Sequence, residues 1–161
     1  MNSVDLSLIE AMFFTAMQAG YAVEGISKAK VIDLPGYKEI RYEEPDLLLV
    51  DRWCVNLNSE KSAGTTTIWY QDNPVWFMSY GGHYPQSAIR LLKQALRMQY
   101  CQDVRFHGGR GPRVVADRGA GLIYMNRPEV NNFSEFKGRE EIFSIDRGWI
   151  GYHDYWGMSL L

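Results

Sequence analysis

Between Ala63 and Tyr84 the chain reads AGTTTIWYQDNPVWFMSYGGHY, and this stretch constrains the fold more than any other. Thr65 to Tyr70 is dense in β-branched and aromatic residues, Gln71-Asp72-Asn73-Pro74 is turn chemistry, and Val75 to Tyr80 repeats the strand pattern. The segment therefore predicts a β-hairpin, which Gly81-Gly82 is expected to stop before His83-Tyr84-Pro85 leads into a helix. Much of it recurs. Gly64 and Gly138 lie 74 positions apart, and the same offset pairs Ile68 with Ile142, Trp69 with Phe143 and Asp72 with Asp146. It also sets Leu48-Leu49-Val50 against Leu122-Ile123-Tyr124, and with one inserted residue Gly82 falls on Gly157.

The rest of the chain fits a unit used twice. Asn2, Ser3 and Asp5 offer caps to a first helix in which Leu6, Ile9, Phe13 and Ala16 share a face, ended by Gly20. Leu8, Met12, Phe14 and Met17 make that helix apolar on other sides too. Ala22 to Pro35 reads as a loop, Tyr37–Glu43 and Leu47–Val55 as strands, and Asn56 to Ala63 as a polar loop. Pro85 suits the first turn of a second helix, with Ile89, Leu92, Leu96 and Gln99 on one face and Arg90, Lys93, Gln94 and Arg97 opposite. Phe106 to Pro112 (FHGGRGP) is too rich in glycine for regular structure. Strands follow at Val114–Ala116 and Gly121–Asn126, then a polar loop from Arg127 to Glu135. A closing hairpin runs from Phe136 to Ile145 and back through Trp149 to Trp156. The expected fold is α+β: an antiparallel, curved sheet with two helices on one face, in a single domain (1–161) of two related helix-plus-four-strand halves, about 1–84 and 85–161.

Length and composition suit this. A chain of 161 residues with 46% hydrophobic and 22% charged residues can bury a sizeable core and does not read as disordered. The net charge of −2 provides no global basic field for nucleic acid, and no apolar run is long enough to span a membrane. Cys54 and Cys101 lack any paired spacing and are expected to be free, reduced thiols of a cytoplasmic protein.

The residues then become recognisable as a set. Pro74–Gly82 (PVWFMSYGG), Leu91–Leu96 (LLKQAL), Arg110–Pro112 (RGP) and Phe136–Ile142 (FKGREEI) resemble, in that order, landmarks of an uncharacterised bacterial family, domain of unknown function 5680. Tyr152-His153-Asp154-Tyr155-Trp156-Gly157 looks like a variant of that family's aromatic and histidine-glycine ending. The first-half counterpart of Gly138-Arg139-Glu140 is Gly64-Thr65-Thr66, so the acidic residue often found there in the family is missing. Some members of the family follow a helix-turn-helix DNA-binding segment, and this chain reads as having none. The resemblance implies a fold and a choice of residues, but no reaction.

Candidate site residues follow from chemistry. Arg110, framed by glycines, can fork onto a phosphate or carboxylate, or pair with a carboxylate of the chain such as Glu140. His107 stands beside it. Tyr80, Tyr84, Tyr152 and Trp156 are expected to line a cleft as stacking surfaces with polar tips, whereas Trp76 and Met78 are assigned to the core. Glu140, His153 and Asp154 are the candidate catalytic groups, though Glu140 and Glu141 must face opposite ways on a strand and neighbouring His153 and Asp154 diverge. His83, His107 and His153 are scattered, so no metal and no cofactor is expected. The leading expectation is a non-enzymatic small-ligand-binding or sensory domain for a planar or anionic, nucleotide-like ligand. The alternatives are a hydrolase or transferase using Glu140, His153 or Asp154 with Arg110, and a homodimeric interaction domain built on the apolar first helix. Specific DNA or RNA binding is not expected, despite the stripe of Arg90, Lys93 and Arg97.

Overall fold

The computed structural model describes residues 4–22 and 29–161. In chain order these form α1 (Leu6–Ala22), β1 (Ala29–Lys30), β2 (Tyr37–Glu44), β3 (Leu47–Val55), β4 (Lys61–Tyr70) and β5 (Asn73–His83). Then follow α2 (Ile89–Met98), β6 (Val114–Asp117), β7 (Leu122–Asn132), β8 (Glu135–Ser144) and β9 (Gly148–Ser159). A 3₁₀ turn, Gln86–Ala88, leads into α2, and a π turn, Gln99–Asp103, closes it.

All described strands lie in one antiparallel sheet of order β1-β2-β3-β4-β5-β9-β8-β7-β6. Consecutive strands form two meanders, and the β5–β9 ladder joins them. Strand alternation sorts the side chains. Leu49, Ile68, Trp76, Met78, Tyr124, Phe136, Ile142 and Tyr155 point to the buried face, where α1 and the α2 region pack. Trp76 lies at the centre of this core. Its ring stacks on Phe133 and Phe136 at 4.9 and 5.3 Å, and its indole N–H donates to the Phe133 carbonyl at 2.9 Å.

The helices form for local reasons. The Asp5 carboxylate accepts from the Ser7 amide at 3.0 Å and so satisfies one of the first-turn donors of α1; Asn2 and Ser3 lie outside the described residues. Ile9, Met12, Phe13, Phe14, Ala16 and Met17 are all buried by the chain's own sheet and π turn, while Leu8 is half-exposed. On α2, Leu91, Leu92, Ala95 and Leu96 are buried while Arg90, Lys93, Gln94 and Arg97 face solvent, the division expected from the spacing.

Several boundaries differ from expectation. Gly81-Gly82 does not stop the hairpin: β5 continues through both to His83, paired on one side with β4 and on the other with β9. The polar segment before Ala63 is in part strand, since β4 begins at Lys61, and the supposed loop from Arg127 is the outer arm of β7, which runs to Asn132 with a bulge near Glu129. That arm carries partly or fully exposed residues on both faces, which is why its sequence lacks the apolar alternation of a half-buried strand. Within Ala22 to Pro35, read as loop, Ala29–Lys30 pair with β2; residues 23–28 lie outside the described residues. The uniform offset of 74 also fails in register. Leu49 opposite Ile68 is matched by Tyr124 opposite Ile142, not by Ile123.

Candidate functional site

One row across the sheet assembles the polar centre. Ser62 on β4 is opposite Gly82 on β5, Gly82 is opposite His153 on β9, and His153 is opposite Glu140 on β8. Adjacent strands are spaced about 4.8 Å apart, so Ser62 and His153, with one strand between them, start roughly 10 Å apart at the backbone. Any side chain on β5 pointing the same way would fill that gap. Glycine leaves it open, and the Ser62 hydroxyl meets His153 Nε2 at 3.1 Å. Position 82 also lies hard against the neighbouring strand: a Cβ there would be 2.1 Å from the Tyr152 carbonyl oxygen.

On the other side of the imidazole, His153 Nδ1 is 3.2 Å from Glu140 Oε1. Glu140 is fully buried, and Arg110 Nη2 donates to the same oxygen at 2.6 Å while the Tyr124 hydroxyl donates to Oε2 at 2.6 Å. The Tyr124 oxygen in turn accepts from the Gly111 amide at 3.0 Å, and the Tyr84 hydroxyl donates to the Glu140 carbonyl at 3.1 Å. Burial alone would raise the Glu140 carboxyl, but the Arg110 charge and the His153 and Arg110 hydrogen bonds outweigh it and hold the group down at about 2. Glu140 is therefore ionised, and a carboxylate at Nδ1 favours the imidazole tautomer with its proton on Nδ1. Arg110 Nη2 competes for that nitrogen from 3.4 Å, a longer and less favourable contact than that with the carboxylate.

Arg110 is placed by the irregular segment the sequence marks. Gly108 and Gly109 adopt φ of +62° and +65°, and the Arg110 amide donates to the His107 carbonyl at 3.2 Å. This turn directs the guanidinium inward, where it is buried and lies 4.9 Å over the Tyr80 ring. Its Nε has no hydrogen-bond partner among the described residues. A second polar pair sits beside it: the Tyr80 and Thr66 hydroxyls donate to Asp51 Oδ1 at 2.8 and 3.0 Å. Burial and then the Asp51 charge raise the Tyr80 hydroxyl well above its ordinary value.

Arg110, His153, Ser62, Tyr80 and Tyr84 form part of the lining of a cleft of about 890 Å³ between the sheet, α2 and the 56–60 loop. Trp53 and Tyr21 add aromatic wall, and among the described residues Lys38, Lys61 and Lys93 stand on its lining with Glu60.

The residues picked from sequence divide cleanly. Arg110, Glu140, His153, Tyr80 and Tyr84 come together. Tyr152, Asp154 and Trp156 lie on the opposite face of β9, because strand neighbours alternate. There Tyr152 stacks on Trp149 under the Arg139 guanidinium, Asp154 accepts from Arg139 at 2.6 and 2.9 Å, and Trp156 leans on Phe77. His107 is turned away from the cleft toward Asn126, whose amide donates to its carbonyl at 3.0 Å. Sequence reasoning does not single out Ser62, Asp51, Thr66 or Tyr124 as site residues. Extending the strand pattern of Thr66 and Ile68 back by twos reaches Ser62, so period two is the signal that points to it.

The model of one family, domain of unknown function 5680 (DUF5680), matches residues 56–158, which include the whole Ser62–His153–Glu140 row. This chain belongs to the DUF5680 family. No curated protein and no solved structure matches it. Among the described residues of this DUF5680 chain, no three His, Cys, Asp or Glu groups stand close enough to hold a metal ion, and no helix is long and apolar enough to cross a membrane. Cys54 and Cys101 are not joined to each other.

Proposed function

We propose that this DUF5680 chain is a small-ligand-binding domain whose cleft takes a planar, anionic ligand. The observation that carries the reading is the Arg110 guanidinium on the cleft lining, held through Nη2 by Glu140 and lying over the Tyr80 ring. A prefixed cationic donor costs little ordering when an anion arrives. The cleft volume of about 890 Å³ falls in the range of small-molecule sites, roughly 300–1,000 Å³. Tyr80, Tyr84 and Trp53 supply flat apolar surface, and Lys38, Lys61 and Lys93 bias the approach toward negative charge.

The two meanders read as one unit used twice, which makes the cleft a site at the joint of related halves. Supporting this, the Tyr80 hydroxyl donates to Asp51 over Gly64, and Tyr155 donates to Asn126 over Gly138 in the corresponding places. The second copy of that pocket is filled by Gly108, which sits against the Tyr155 ring.

Thermal denaturation against a panel of mononucleotides, nucleosides and aromatic carboxylates tests the function. A ligand at 100 times its Kd adds about 2.7 kcal/mol, a rise of roughly 5–11 °C for a chain of this size. The same ligand should lose most of its effect against a Lys38→Glu/Lys93→Glu variant and in raised salt. Stabilisation by none of the anions, or equal stabilisation of the charge-reversed variant, would overturn the reading.

A further inference from the structure

We infer that Ser62 is a nucleophile, activated by His153 and oriented through Glu140, and that the cleft hydrolyses a carboxylic ester bearing an anionic group. The inference rests on the anion-binding reading of the cleft for its substrate class, and on separate geometry for its chemistry.

That geometry has three parts. The hydroxyl, the imidazole and the carboxylate stand in series, 3.1 Å from Ser62 Oγ to His153 Nε2 and 3.2 Å from His153 Nδ1 to Glu140 Oε1. This is the spacing by which a base held in one tautomer takes a proton from a hydroxyl. The series also runs from open to closed. Ser62 is partly exposed on the cleft lining, His153 is buried but still borders the cleft, and Glu140 is fully buried beneath it. A merely structural serine has no need of that order. Finally, the imidazole is restrained. The Tyr84 ring meets it edge-on at 4.8 Å, and Glu140 itself is clamped by Arg110 and Tyr124. The three side chains come from β4, β9 and β8, so no sequence motif records them.

The step balances without any co-reactant but water. Ser62 Oγ adds to the ester carbonyl carbon as His153 Nε2 takes its proton. The bond from the carbonyl carbon to the alcohol oxygen breaks, and His153 returns the proton to that oxygen. Water then adds to the acyl-Ser62 carbonyl and gives a proton to His153. Ser62 Oγ leaves with that proton, and the carboxylic acid departs. Glu140 holds the imidazole tautomer and offsets its transient charge. Lys38 and Lys93 select an ester with a carboxylate or phosphate in one half.

The experiment uses the purified chain and a fluorophosphonate probe, with the adduct located by peptide mass spectrometry. Hydrolysis of 4-nitrophenyl acetate and of mono-4-nitrophenyl glutarate is measured alongside. The expected results are one adduct per chain on Ser62, faster turnover of the glutarate ester, and a loss of at least about 100-fold in Ser62→Ala and His153→Gln. Ser79→Ala, on the far face of β5, should match the wild type. No wild-type adduct, an adduct on another residue, or unchanged hydrolysis in Ser62→Ala would overturn the inference. Adduct mapping is done on the wild type and so does not depend on how the variants fold. Thermal stabilisation of Ser62→Ala by glutarate separates the two readings. Stabilisation without a wild-type adduct leaves the binding cleft standing and removes the nucleophile. A Ser62 adduct with no anion preference keeps the nucleophile and removes the anionic cleft.

Discussion

Replacing Gly82 with alanine adds one carbon where β5 lies hard against β9. An ideal Cβ there sits 2.1 Å from the Tyr152 carbonyl oxygen, 3.0 Å from its carbon and 3.1 Å from the His153 Cα. Real Cβ contacts stop near 3.0 Å, so the shortfall is about 0.9 Å, and the obstacle is backbone that no rotamer change can clear. β9 must move by roughly 1 Å, and overpacking of this kind costs about 1–3 kcal/mol. Moving His153 with its strand stretches its 3.1 Å contact with Ser62 to about 4 Å, beyond hydrogen-bond reach, for about another 1 kcal/mol. Against this, alanine loses less chain entropy on folding than glycine, an offset of about 0.4–1 kcal/mol. The net loss is about 1–3.6 kcal/mol, or roughly 2–14 °C in Tm. Thermal denaturation followed by circular dichroism measures it, with Gly119→Ala as control. A Cβ at 119 meets only the Asp117 carboxylate at 3.5 Å, so that change should stay within about 0.5 kcal/mol of wild type. A Gly82→Ala protein melting within about 1 °C of wild type would refute the close-approach argument.

Glu140→Ala strands Arg110 as a buried, unpaired charge and should cost about 3–5 kcal/mol by urea denaturation, much of it recovered when Arg110→Met is added. Stability should fall with acid: the depressed Glu140 carboxyl contributes fully above its ordinary value of 4.5, and that contribution is lost as pH falls from there through about 2. It should fall at the alkaline end too. Tyr80, Tyr84 and Tyr124 are raised above their ordinary 10.0, chiefly by burial, so the unfolded chain releases those protons first and stability declines from about pH 10 upward, as a pH series of melts would record. Arg139→Ala removes an exposed pair with Asp154 and should shift the urea midpoint by less than about 1 kcal/mol equivalent, lost in high salt.

Much of the sheet is legible in the sequence because period two is a local signal. The alternation of Tyr37 to Glu43 marks β2, the strand read after the Pro45-Asp46 turn has the bounds of β3, Leu47 and Val55, and turn residues locate the Lys61–His83 hairpin. The Arg110–Glu140 pair is also within reach, since a buried glutamate needs a cation and the glycines around Arg110 mark it as one. Parity on β9 is what cannot be read. Tyr152 and Tyr155 are both tyrosines beside glycine or aromatic neighbours, yet they face opposite sides, and only the packing of the helices decides which side is the cleft. Ser62 is hidden for a different reason. Its segment, NLNSEKS, has the composition of a loop, and the partner that gives Ser62 meaning lies 91 residues away.

The β5–β9 joint also sets an order of events during synthesis. β4 and β5 are made together, but the strand that covers β5 on its other side begins 65 residues after His83. At typical elongation rates of about 5–20 residues per second, β5 waits roughly 3–13 s as an open edge carrying Val75, Trp76, Phe77 and Met78. An apolar edge of that kind invites pairing with other chains. Pro74 at its start and Gly81-Gly82 near its end are poor strand residues that make the waiting edge a weaker template. The glycine that opens a gap for Ser62 to reach His153 in the folded protein therefore serves the unfinished chain as well, by making the open β5 edge a weaker template before β9 arrives.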